Sequence, residues 1–204
     1  MCAVATSAFL ILHGVNNHRP VGHWQHWLAG ELAGSGAPVL YPQLPEPDAP
    51  VLDDWLAALA ENLALLAAVR ADERVVVAHS LGCVTWARAV ERGLVPPGLV
   101  DRVLLVAPPS PVVLQALPTL APFATGPYPD QAGHVGAAWA VLSDDDPYAP
   151  EGLAALLPHL PADRRIGLSG QGHLTPADGY GAWPSLLAWC RDPGAALVAA
   201  SVAR

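Results

Sequence analysis

The sequence predicts an α/β fold: a three-layer αβα sandwich of about six mostly parallel strands in one domain. Three observations predict it. Short runs such as Val75-Val76-Val77 and Val103-Leu104-Leu105-Val106 are apolar throughout rather than alternating, as strands covered by helices on both faces are. These runs alternate with helical or loop segments along the chain. The 204 residues suit one domain, at a prior of roughly 150 residues each.

In chain order, the strands expected are Ser7 to Leu12, Ala37 to Tyr41, Arg74 to Ala78, Arg102 to Val106, Ala138 to Leu142 and Arg165 to Leu168. The run Ala8 to Leu12 lacks the cationic flank of a secretory signal and leads directly into His13-Gly14, so it is read as a strand of the mature protein. The clearest helices are Gly22 to Ala33, Leu52 to Val69, Leu81 to Arg92 and Gly181 to Cys190. In the second, Leu52, Trp55, Leu56, Leu59, Leu63 and Leu66 recur at three and four residues and form one stripe. Prolines between Pro108 and Gly133 oppose a long helix, which makes that stretch a candidate lid or rim. The expected strand order, 2-1-3-4-5-6, sets the first and third strands side by side at a topological switch point.

Composition narrows the class. With 52% hydrophobic and 14% charged residues the chain is globular and soluble, and no apolar stretch approaches the ~20 residues of a membrane span. A formal charge of -8 and the absence of lysine leave no basic stripe for nucleic acid and no patch for a membrane surface. Cys2, Cys83 and Cys190 are too few and too scattered for a disulfide framework, so a cytoplasmic, reducing setting is expected.

The chemistry begins at Ala78-His79-Ser80-Leu81-Gly82, a serine between a strand and a helix with small residues two positions to either side. This is the pattern of a nucleophile elbow, although Ala78 stands where glycine is usual. The bland alternative is a helix N-cap. A hydroxyl needs a base, and the base needs an orienting acid. Both follow in the order Ser, Asp, His: Ser143-Asp144-Asp145-Asp146-Pro147 after the fifth strand and Gly170-Gln171-Gly172-His173 after the sixth. The candidate catalytic residues are therefore Ser80, Asp146 and His173, with Asp145 the alternative acid. Acyl transfer also needs preset donors for the oxyanion. The N–H of Leu81 and one from His13-Gly14-Val15-Asn16-Asn17 can supply them, Val15 ahead of Asn16. Asn16, Asn17 and His79 are candidate substrate-binding residues. A metal site among His13, His18, His23 and His26 lacks a completing carboxylate, and Cys83 falls where its thiol should be buried, so neither competes. No metal or cofactor is expected; the partner is a small acyl substrate.

His13-Gly14, His23-Trp24-Gln25-His26-Trp27, His79-Ser80-Leu81-Gly82, Ser143-Asp144-Asp145-Asp146-Pro147 and Gly172-His173 together resemble the retinoblastoma-binding-protein-9-like, or YdeN-like, serine hydrolases over nearly the whole chain. The resemblance implies a compact α/β hydrolase with minimal cap, a Ser-His-Asp triad and esterase-like activity, with amide hydrolysis or partner binding as alternatives. The Leu-x-Cys-x-Glu segment of the animal member is missing, so binding to a retinoblastoma-type pocket is not expected.

Overall fold

The computed structural model describes residues 6–124 and 126–200; Cys2 lies outside them. Six strands form one sheet in the order β2-β1-β3-β4-β5-β6, and every neighbouring pair is parallel. They are β1 (Ser7–Leu12), β2 (Val39–Leu40), β3 (Glu73–His79), β4 (Val100–Val106), β5 (Val135–Ser143) and β6 (Arg165–Leu168). β2 is shorter than its apolar run suggests, because at the sheet edge only Val39 and Leu40 find a ladder partner, on β1. Right-handed crossovers then fix where the helices go. The chain moves one way from β1 to β2 and the other way from β2 to β3 and β4. Helix α1 (Trp24–Gly34) therefore packs with α6 (Pro184–Arg191) on one face, and α2 (Leu52–Ala68) with α3 (Leu81–Glu91) on the other.

The stripe expected on α2 is buried at all six positions. Helix α1 starts two residues later than its sequence suggests, since His23 caps it by accepting the Gln25 N–H on Nδ1 at 3.1 Å. Among its described residues, the proline-rich stretch contributes α4 (Pro111–Gln115), a three-residue turn at Ala121–Phe123 and an isolated bridge at Ala132. Ser110 accepts from Val112 and Val113 and Pro111 opens α4, the arrangement that Ser-Pro favours at a helix start. A four-residue helix, α5 (Leu153–Leu156), precedes β6. At the sheet edge away from the site, buried Arg102 forks onto Glu73 and also donates to the carbonyls of Trp189 and Cys190, tying β3, β4 and α6 together. That guanidinium holds the Glu73 carboxyl below its usual range.

Candidate active site

The carboxyl ends of β3 and β6 deliver Ser80 and His173 to one cavity, and that of β5 sets the Asp144–Asp146 run behind His173, at the point where α1 and α3 leave the sheet on opposite faces. Ser80 occupies the capping position of α3 but makes no capping bond with its side chain. Its backbone sits at φ 52°, a conformation that L-residues avoid. The turn is possible because two glycines make room. A Cβ on Gly14 would lie 2.8 Å from Ser80 Cβ, and one on Gly82 would lie 2.7 Å from the His13 carbonyl oxygen.

Freed from capping, Ser80 Oγ lies 2.8 Å from His173 Nε2. On the other side of the ring, His173 Nδ1 lies 2.8 Å from Asp146 Oδ2. A carboxylate only accepts, so Nδ1 carries the proton of the neutral imidazole and Nε2 is left to accept the Ser80 hydroxyl. The Asp146 carboxylate has no solvent exposure, and its second oxygen accepts the Tyr148 N–H at 2.9 Å.

The neighbouring aspartates do different work. Asp145 accepts from the Ser143 hydroxyl and, at 2.8 Å, from the Gly172 N–H. Asp144 accepts from Gly170 N–H and the Ser169 hydroxyl. Ser143 Oγ in turn accepts the Gln171 N–H at 2.7 Å. Ser143, the last residue of β5, and the two aspartates that follow it thus clamp the loop that carries His173. These hydrogen bonds hold both exposed carboxyls below the usual aspartate range, chiefly the Ser143 hydroxyl at Asp145 and the Gly170 N–H at Asp144. From the α1 side, Trp24 Nε1 donates to the Leu174 carbonyl at 2.9 Å, and His79 Nε2 donates to the His173 carbonyl at 3.1 Å.

The loop after β1 forms the facing wall. The Asn16 N–H is spent on the Pro47 carbonyl at 2.8 Å, whereas among the described residues no acceptor meets the Val15 N–H. Leu81 N–H lies at the open first turn of α3, and both residues line the cavity. Asn16 is exposed at the rim with φ 56°. Asn17 lines the cavity too, but its amide donates to Gln25 and its carbonyl oxygen accepts from the Arg19 N–H, so its side chain braces the loop. Buried His13 supports the same loop, accepting the Leu44 N–H on Nε2 at 2.8 Å and donating from Nδ1 to the Gly14 carbonyl.

Burial keeps three imidazoles neutral here. His13 and His23 are each pushed down to about 4, and buried His79 well below its ordinary range. The same burial pushes the Cys83 thiol up; its Sγ donates within the core to carbonyls of Ala78 and Val106. His23 and His26 do not share a ligand face as their spacing allows, because His23 is a buried cap and His26 is exposed. Among the described residues, no group of three His, Cys, Asp or Glu side chains is placed to hold a metal.

The cavity encloses about 650 Å³. Its far wall, built by Pro109, Leu114, Leu117 and Leu120, comes from the Pro108 to Gly133 stretch expected as a lid or rim, but sequence reasoning named none of these residues, nor Tyr148, whose ring centroid lies 4.6 Å from that of His173. The Ser110-Pro111 start signal could have revealed α4, but nothing in the pattern shows which of its residues face the serine.

A parallel sheet of this strand order with a serine at the β3–α3 turn defines the class of α/β hydrolases. The family profile described as "Serine hydrolase" matches residues 9–191, and the chain belongs to that family. The YdeN product of Bacillus subtilis superposes with a TM-score of 0.69 at 24% identity, covering 90% of this chain and 95% of that one. A YdeN-like hydrolase from Pectobacterium atrosepticum gives 0.64 at 19% identity over 92% and 90%. The esterase domain of a Rhodothermus marinus protein gives 0.60 at 18% identity over 92% and 87%. At these identities the likeness concerns the fold. The comparison with curated proteins found no match. No helix among the described residues is long and apolar enough to cross a membrane.

Proposed function

We propose that this hydrolase cleaves small acyl esters through an acyl-enzyme, with Ser80 as nucleophile, His173 as general base then acid, and Asp146 as the orienting carboxylate. The observation that carries the reading is the continuous hydrogen-bonded chain from Ser80 Oγ to His173 and on to the buried Asp146, each step 2.8 Å. Ser80 Oγ attacks the ester carbonyl carbon as its proton passes to His173 Nε2. The new imidazolium is stabilised by Asp146, and the carbonyl oxygen, now anionic, is met by the N–H groups of Val15 and Leu81. Each such donor contributes roughly 2.7–4 kcal/mol of transition-state stabilisation. Collapse breaks the bond to the alkoxy oxygen, which takes the proton from Nε2 and leaves as alcohol. Water then attacks the acyl-enzyme, His173 takes its proton, and the acid departs as Ser80 recovers its hydrogen.

The esterase domain among the structural neighbours supports ester over amide as the substrate. The free, buried thiols of Cys83 and Cys190 support a reducing, cytoplasmic setting. A fluorophosphonate probe tests the mechanism: the wild type is labelled and Ser80→Ala is not. Equal labelling of the two would remove Ser80 from the chemistry.

A further inference from the structure

The substituents of an acylated serine have few places to go. The carbonyl oxygen is committed to the Val15 and Leu81 side, and the leaving group must lie within reach of His173 Nε2, beside Tyr148 and Thr175. The acyl chain takes the remaining direction, and the wall still unassigned is the one after β4. There the backbone runs through successive three-residue turns: Leu117 N–H donates to the Leu114 carbonyl at 3.0 Å and Leu120 N–H to the Leu117 carbonyl at 2.8 Å. Turns of this period bring every third side chain to the same side. Leu114, Leu117 and Leu120 accordingly form a ladder, and all three line the cavity.

The ladder is a built wall. Leu114 and Leu120 are buried, and Phe123 just beyond them packs edge-on against Trp55 of α2 with centroids 5.6 Å apart. At its start, Ser110 N–H donates to the Tyr148 carbonyl at 2.7 Å, tying the wall to the loop that carries Asp146. Leu117 alone is half-buried, in the middle of the row. The opposite wall, with Asn16, Asn17 and Asp48, is polar. An apolar chain is therefore better placed against the leucines than against that polar wall.

We propose that the Leu114–Leu117–Leu120 ladder is the acyl-chain subsite, and that the substrates are esters of medium-chain aliphatic acids rather than acetyl esters. This rests on Ser80 being the nucleophile. Each methylene removed from water by the ladder raises kcat/KM about threefold to fourfold.

A chain-length series of p-nitrophenyl esters from acetate to octanoate tests it on the intact protein. The expected result is a rise along the series, and an octanoate-to-acetate ratio of kcat/KM that falls at least tenfold in Leu117→Gln, which makes the ladder polar, and in Leu117→Trp, which fills it. Val112→Ala, exposed on α4 just before the ladder, keeps the wild-type ratio. Two substitutions of opposite character, each checked for a native melting transition, keep the test independent of folding. A flat series, or a ratio unmoved in the folded Leu117 variants, overturns the subsite while Ser80 labelling still stands. Absence of ester hydrolysis together with absence of Ser80 labelling overturns the nucleophile reading itself.

Discussion

Ser80 holds a backbone conformation that costs on the order of 1–3 kcal/mol for a residue with a Cβ, and the surrounding turn keeps it there. Glycine alone is free of that cost. Of two variants that both lack the nucleophile, Ser80→Gly is therefore expected to exceed Ser80→Ala in stability by about 1 kcal/mol in urea unfolding; equal midpoints would mean that the turn stores no strain. The two candidate acids separate just as sharply. Asp146→Asn keeps the volume but offers His173 Nδ1 an amide that can donate, which allows the wrong tautomer at Nε2; kcat on a short ester should fall by about 10⁴. In Asp145→Asn the side-chain oxygen still accepts the Gly172 N–H, so kcat should stay within about tenfold of wild type. Steady-state kinetics on both variants decides between the two acids that the sequence leaves open.

At the scale of elements, what was legible was whatever hydrophobic periodicity controls. The runs that became β1 and β6 match their strands end to end; for β1 and for the α2 stripe this is because burial on two faces or one leaves a direct mark on residue type. The β2 edge strand and α4 were not so legible: a ladder partner shortened the first, and proline composition concealed the second. The joint between α3 and β1 is another such feature, for Gly82 reads as a small elbow residue while its real constraint is a carbonyl on another strand. Gly82→Ala would set a methyl 2.7 Å from the His13 oxygen and 2.9 Å from that of Leu12, where the backbone of a central strand cannot give. It should destabilise the fold by about 1–3 kcal/mol. Gly30→Ala, in the exposed middle of α1 with open space around it, should stabilise by up to about 1 kcal/mol. Urea midpoints moving in the same direction would refute this contrast.

Over the whole molecule, the convergence of three strand ends was legible from the placement of Ser80, Asp146 and His173 just after parallel strands and from the expected strand order. The burial of histidines was not visible, since it depends on loops from β1, α1 and β3 closing over one another. That burial has a consequence for the stability of the entire chain. Unfolded, each imidazole titrates near its ordinary value of 6.5; folded, His13 and His23 stay neutral down to about 4. Between those values the unfolded state binds more protons, so stability is fully present above pH 6.5 and is lost as pH falls toward 4. At pH 5 the loss is about 2 kcal/mol for each of the two, with His79 adding in the same direction. Against a total of roughly 5–15 kcal/mol this is a large fraction. The lowered carboxyls of Glu73, Asp144 and Asp145 act only below their ordinary values of 4.5 and 3.8, so an interval from pH 7.5 to 5 isolates the histidines. Urea unfolding across that interval should show the midpoint dropping steadily as pH falls. A midpoint that stays level, or rises, would mean that these imidazoles accept protons within the folded protein and that the loops around Ser80 open to admit them.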